Sequence, residues 1–321
     1  MIVVTGGAGF IGSCFVKHLN DQGRQDIIVV DNLGKSDKWK NLLGKKYKSY
    51  FDKKDFLAML EAGEIHKDIE AIVHLGACTD TTERDMDYLL HNNFEYTKIL
   101  AMLCVGYNIR LIYASSAATY GLGEHGYTDT VFEPLRPLNA YGFSKQMFDL
   151  WMLENGLDKK ITGFKFFNVF GPNEYHKGNM SSMVFKAYGQ IKELGKVRLF
   201  KSTVPEFSDG GQLRDFVYVK DVVQVLYHAL RHPEMTGIFN LGTGKARSWN
   251  DLMTSVFDAL GQKPNIEYIE MPDNLRKQYQ NFTEADMAKL KTAGYRYEFS
   301  PLEESVADYV KNHLEQPVQH L

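Results

Sequence analysis

YGFSK, residues 141–145, sets Tyr141 and Lys145 four positions apart, so a helix carrying both would present them on one face. A phenol with an ordinary pKa of ~10 is a poor base at neutral pH. A nearby ammonium favours the phenolate, and the pair can then take a proton from an alcohol. Upstream, YASSAATYG (113–121) ends an apolar run with Ser116, whose hydroxyl can hydrogen-bond the same oxygen. A lone YxxxK pair is common by chance, and its weight depends on what surrounds it.

What surrounds it is a dinucleotide signature. TGGAGFIG (5–12) follows an apolar run and opens a helical pattern, with Gly6, Gly9 and Gly12 spaced GxxGxxG and Gly7 completing a GxGxxG reading. Glycines there permit a tight turn, a close approach of backbone to a pyrophosphate, and close helix–strand packing. The helix that starts near Phe10 and Ile11 offers free N–H groups to the phosphates. Asp31 ends the second apolar run, where an acid meets the adenosine ribose hydroxyls and favours NAD. Lys35, Lys38 and Lys53 follow, and supply the positive charge that a 2′-phosphate needs. From charge alone the choice between NAD and NADP stays open.

These groups need elements to position them. Apolar runs at 2–5, 27–30, 71–75, 110–114 and 161–167 alternate with helical patterns at 11–20, 88–105 and 144–154. Runs buried on both faces and separated by helices predict an α/β fold, a doubly wound parallel Rossmann sheet. The reading gives a nucleotide-binding domain over 1–167 and a smaller α/β substrate-binding domain, interwoven with it, over 168–321. Segments near 214–243 and 280–295 return to the first domain. A helix at 183–194, a strand at 197–200 and a polar loop at 202–212 are expected in the second part. LRDFVYVKDVVQVLYHAL and GIFNLGTG read as strand–helix and strand that rejoin the first sheet.

Composition narrows the class. The chain of 321 residues is 44% hydrophobic and 24% charged, with formal net charge −3, which argues against broad nucleic-acid binding. Cys14, Cys78 and Cys104 show no CxxC spacing, so buried thiols in a reducing cytoplasm are expected, with no metal site. MIVVTGGAGF lacks a basic leader, and no apolar stretch reaches the ~18 residues of a membrane helix.

The glycine turn, Asp31, Ser116, the Tyr141/Lys145 pair and FFNVFGP (166–172) together resemble the extended short-chain dehydrogenase/reductase family over nearly the whole chain. HLGACTDTTE, ASSAATYG, HKGNM, LRDFVYVKDV, IFNLGTG and YQNFTEAD are similar, in order and spacing, to a branch that inverts the sixth carbon of an ADP-linked heptose for lipopolysaccharide synthesis. Such a carbon bears no acidic hydrogen, so inversion proceeds by transient oxidation to a planar ketone and reduction from its other face.

The resemblance implies an ADP-heptose substrate, a retained NADP with NAD as the alternative, and a homo-oligomer, a pentamer in this branch. It assigns Tyr141, Lys145 and Ser116 to catalysis. Lys177, in the breaker-rich loop GPNEYHKGNM (171–180), becomes a second acid/base; without the resemblance it reads as a solvated loop lysine. Cofactor contacts are implied at Gly6, Gly9, Phe10, Ile11, Gly12, Asp31, Asn32, Lys38 and Lys53. Further ones fall on Leu75, Gly76, Ala77, Cys78, Thr79, Asn92, Lys145, Val169 and Lys177. Substrate contacts are implied at Asn168, Asn179, Lys186, Phe200, Lys201, Ser202, Thr203, Arg214 and Tyr279. A guanidinium at 214 suits a diphosphate, or else pairs with Asp215.

Ser116-Ala117-Ala118 stands where dehydratases of the family carry an acid, which argues against elimination of water. The chain departs from the family pattern at Asn179 and Lys186, at Lys165 in place of arginine, at Phe170 in place of tyrosine, and in its longer 202–212 loop. The rival readings are a UDP-hexose 4-epimerase, which lacks the HKG lysine, and a non-catalytic NADP-sensing protein.

Overall fold

Seven strands form one parallel sheet: β1 (Ile2–Thr5), β2 (Ile27–Asp31), β3 (Ser49–Asp52), β4 (Ala71–His74), β5 (Arg110–Ser116), β6 (Thr162–Phe166) and, much later in the chain, β11 (Gly237–Leu241), in the order β11-β6-β5-β4-β1-β2-β3. A computed structural model describes residues 1–276 and 279–321, with the side chains of 274 and 275 left aside.

Alternation along each strand builds two cores. Ile2, Val4, Val29, Val73 and Ile112 face one way, against α1 (Phe10–Asp21) and α7 (Val219–Arg231). Val3, Ile28, Ile72 and Leu111 face the other, against α2 (Lys53–Glu61), α4 (Tyr96–Gly106) and α5 (Ala140–Glu154). Both faces are covered, as a parallel sheet requires. Packing rather than surface charge seats the helices. Phe15 and Leu19 of α1 are fully buried, each worth roughly 1.5–3 kcal/mol, whereas the exposed Lys17–Asp21 pair on the same helix contributes about 0–1 kcal/mol.

Beyond β6 the chain makes smaller units. β7 (Asn168–Phe170) pairs in parallel with β10 (Phe216–Tyr218), and β8 (Val197–Phe200) with β13 (Ile266–Ile269). β9 (Leu213–Arg214) pairs antiparallel with β12 (Arg247–Ser248). Helices α6 (Met183–Leu194) and α8 (Trp249–Ala259) pack together beside them. Of the two late segments expected to rejoin the first sheet, β11 does, while β9 and β10 stay in these two-stranded pairs.

Two helix readings are corrected. The pattern at 88–105 is not one helix: α3 (Met86–Leu89) passes through a wide π turn, Leu90–Glu95, into α4. That turn carries Asn93, whose buried side chain bonds Cys78 N and O and the Ser144 hydroxyl. Helix α5 starts at Ala140, because the Asn139 side chain accepts from Gly142 N at 2.8 Å. That cap draws Tyr141 into the first turn.

Candidate functional site

A cleft of about 970 Å³ opens at the carboxyl ends of the sheet strands, bounded by Thr5, Asp31, His74, Ser115, Ser116 and Phe166. The crevice beyond the strand ends is where doubly wound sheets bind ligands.

The glycine turn forms one wall. Gly6 has φ +65°, and a Cβ there would lie 2.7 Å from Gly76 N. A Cβ on Gly12 would meet the Gly6 carbonyl oxygen at 2.1 Å, so both positions are closed to larger residues. Helix α1 then begins at Phe10 with Gly9 as its cap, no capping side chain and no acid in its first turn. An uncapped helix start beside so close a backbone approach offers free N–H groups that suit a pyrophosphate, so the residues present fit a dinucleotide.

Farther along, the Asp31 carboxylate accepts from Ala8 N at 2.9 Å, Asn32 N at 2.7 Å and Lys38 Nζ at 2.6 Å. Lys38 thereby offsets the acid beside the expected adenosine end. Lys53 Nζ donates to Asn92 Oδ1, and Asn92 Nδ2 donates to Tyr88 O at 2.9 Å. Burial lowers the Lys53 pKa. Asn92 is half-buried and lines the cleft. Leu75, Gly76, Ala77, Cys78 and Thr79 line it too. Cys14 and Cys104 are buried as expected, but Cys78 is only half-buried.

On the opposite side, Ser116 ends β5 and Tyr141 and Lys145 project from α5 into the cleft. Burial raises the Tyr141 pKa, while the Ser116 hydroxyl works against that by favouring the phenolate. Lys145 Nζ donates to Ala114 O at 2.8 Å, and burial brings its pKa down to about 8.

Lys177 reaches the same cleft from a short 3-10 turn, Tyr175–Met180, that breaks at Gly178 (φ 52°). Its Nζ lies 5.7 Å from the centroid of the Phe10 ring, at the start of α1. Burial lowers its pKa, opposed by Glu174. Lys177 is half-buried at the cleft wall rather than fully solvated. Its neighbour His176 also lines the cleft, with a pKa lowered to about 4 by burial and then by Lys177.

One tie was not foreseen. Asn41 is 1% exposed, and its Nδ2 donates at 3.0 Å to both Ala8 O in the glycine turn and Asn173 O before the Lys177 turn. It also approaches His176 Nδ1 at 3.3 Å. A lone asparagine between two loops carries no local pattern that announces this.

The residues assigned to substrate divide. Asn168 lines the cleft beside Val169, a residue assigned to the cofactor, and both are joined by Phe216 and Trp249, which sequence reasoning missed. Arg214 lies over Tyr279 and Trp249 at 5.2 and 5.6 Å, Trp249 Nε1 donates to Tyr279 OH at 2.9 Å, and Phe200 meets the Tyr279 ring edge-on. The alternative of an Arg214–Asp215 pair fails, because Asp215 is taken by Thr243, Gly244 and Ala285. Ser202 and Thr203 line a separate hollow of about 670 Å³ with Asp209, Glu270 and Arg276. Lys201 is exposed on Glu270 at 2.7 Å, and Lys186 Nζ donates to Asn179 O at 2.7 Å. Asn179, Lys186, Phe200, Lys201, Ser202, Thr203, Arg214 and Tyr279 lie outside the lining of the main cleft.

With this geometry in view, the comparison with known proteins is specific. Residues 2–242 match the NAD dependent epimerase/dehydratase family, and the chain belongs to that family. It is 52% identical, over 323 residues and all of both chains, to the ADP-L-glycero-D-manno-heptose-6-epimerase of Nitratidesulfovibrio vulgaris strain Hildenborough. The structure of the Helicobacter pylori protein of that name superposes with a TM-score of 0.83 at 29% identity, covering 97% of this chain and 95% of that one. A Thermus thermophilus UDP-glucose 4-epimerase in complex with NAD gives 0.76 at 25% identity, covering 97% and 98%.

Proposed function

We propose that this chain interconverts ADP-D-glycero-β-D-manno-heptose and its L-glycero epimer at the sixth carbon of the heptose. The observation that carries the reading is the convergence of Tyr141 and Lys177, from two different parts of the chain, on the cleft that holds the glycine turn. Full-length relatives named for that reaction support the choice of sugar. A bound nicotinamide would supply reversible hydride acceptance.

The protein's own groups handle the proton. Inversion presents the substrate oxygen in two places, so one acid/base does not serve both. Tyr141 Oη takes or returns the hydroxyl proton in one orientation, with Ser116 as its hydrogen-bond partner, and Lys177 Nζ does so in the other. Partial burial keeps the Lys177 amine closer to its neutral form, which a base requires. Arg214 and Tyr279 belong to the nucleotide diphosphate side of the substrate in this reading.

NADP is the proposed form of the cofactor. Lys38 already offsets the Asp31 carboxylate, and Lys35 and Lys53 line the same end of the cleft. Chromatography of the nucleotide released from purified protein tests this, and NAD alone would overturn it. A homo-oligomer is part of the reading, tested by light scattering.

The deciding assay follows ADP-D-glycero-β-D-manno-heptose by NMR with purified protein and no added cofactor, beside Lys177→Ala. The expected result is conversion by the native protein and conversion slowed about a hundredfold in the variant. No conversion, even with NADP or NAD supplied, overturns the heptose assignment and redirects the search to UDP-hexoses.

A further inference from the structure

Behind Tyr141 and Lys145 lies an ion pair that no step above uses. Lys165 on β6 and Asp149 on α5 meet at 2.7 Å, with their side chains 0% and 1% exposed. Asp149 stands one turn beyond Lys145 and two beyond Tyr141, so all three share a face of α5. Its carboxylate also accepts from Tyr113 OH at 2.8 Å and Ser115 Oγ at 2.7 Å, both on β5. Lys165 Nζ donates in turn to Thr119 Oγ1 at 2.7 Å, and Thr119 donates to the Ser116 carbonyl at 2.8 Å. The network therefore runs from the helix of Tyr141 to the strand end that carries Ser116.

A buried pair is costly to assemble and no net gain in stability is assured. Its position suggests another role. We propose that Asp149 and Lys165 are positioning residues: they hold the Ser116 strand end in register with Tyr141, and Lys165 offsets part of the charge that Asp149 imposes on the Tyr141/Lys145 face.

Lys145 is the natural reporter. Asp149 faces it from its own helix, the Cys78 thiol and His74 from the β4 side, and the Ala114 carbonyl from β5. Asp149 raises the pKa of Lys145 and of Tyr141, and desolvation opposes this at Lys145. Removing Asp149's charge must lower the Lys145 midpoint, and removing Lys165's must raise it by leaving the carboxylate unbalanced.

The proposal rests on Tyr141 and Lys145 as the reacting pair, not on the identity of the sugar. The full-length protein with its retained cofactor, labelled with ¹³C at lysine Cε, is titrated by NMR, the Lys145 signal being identified by its loss in Lys145→Met. We expect Lys165→Met to move the midpoint up by about one unit, Asp149→Asn to move it down by about one unit, and Lys165→Arg to leave it in place. Midpoints that stay together in all variants, or that move in the same direction, overturn the charge-balancing role. Ser115→Ala and Thr119→Val break neutral links of the network and keep the proposal testable where a charge variant does not fold. Each is expected to lower kcat about tenfold with KM and the Lys145 midpoint unchanged; native kcat in both overturns the positioning role. The titration stands without any substrate, so failure of the heptose assay alone leaves it intact.

Discussion

Tyr141 stands in the first turn of a 15-residue helix capped by Asn139, whereas Lys177 stands on a six-residue 3-10 turn that breaks at Gly178. The Tyr141 flank is built from regular elements, and its partners Ser116 and Lys145 come with the same strand and helix. On the Lys177 flank no regular element fixes the side chain. Its turn is held at its edges: Glu174 accepts from Ser182 Oγ at 2.7 Å, and Asn41 Nδ2 donates to Asn173 O from a distant segment. A reacting group can thus be positioned by secondary structure or by a few long-range hydrogen bonds, and the second kind is more easily lost.

The largest expected effect breaks the rigid flank. Tyr141→Phe removes the proposed acid/base and should lower kcat about a thousandfold or more, read by the NMR assay, with cofactor content unchanged. Near-native turnover would remove Tyr141 from the mechanism. Lys177→Met should cost about a hundredfold in kcat, with an unchanged melting temperature; a loss under threefold would return Lys177 to an ordinary loop cation.

How much of this was legible in the sequence follows the same divide. The glycine turn, Asp31, Ser116 and the Tyr141/Lys145 pair sit on local patterns whose period and punctuation survive in isolation. The residue pairs that join separate segments do not. Asn41 and Asn173 are far apart in the chain, and nothing near either one encodes the other. Strand β3 is half-buried throughout, so it lacks the apolar run that marked its neighbours, and it went unread together with α2, which supplies Lys53. The wide turn at Leu90–Glu95 was hidden because a π turn keeps a helical pattern while displacing side chains. Phe216 and Trp249 carry no local pattern that marks a binding residue, and only the tertiary fold brings them to the cleft.

Asn41→Ala sharpens the comparison from the other side. It leaves two buried carbonyls without their donor, which costs about 1–3 kcal/mol in urea unfolding. Turnover should fall about tenfold, and the loss should merge with that of Lys177→Met in the double variant. Full additivity of the two would mean that Asn41 does not act through the Lys177 turn.

A smaller, pH-dependent effect belongs to the Tyr141 flank. His74, at the end of β4, is buried between the hydroxyls of Thr5 and Thr97 at 2.6 and 3.0 Å, and burial lowers its pKa to about 3. The unfolded chain takes up that proton first as acid is added. The stability is therefore fully present above about pH 6.5 and is lost on descent toward pH 3, by about 1.4 kcal/mol per pH unit once the unfolded histidine is protonated. Urea unfolding at pH 6 and pH 5 should show that slope flattened in His74→Gln; equal slopes would mean that His74 is not kept neutral by the fold.

Strand β6 lies between β5 and β11, and β11 is drawn from far downstream. While the chain is being made, β6 emerges well before its second partner and presents an unpaired strand edge, with Thr162, Gly163, Phe164 and Lys165 all destined for burial. Such an edge invites pairing with another nascent copy. The interval between Phe166 and Gly237 on the ribosome is thus the stretch of this protein's life in which shielding by a chaperone matters most.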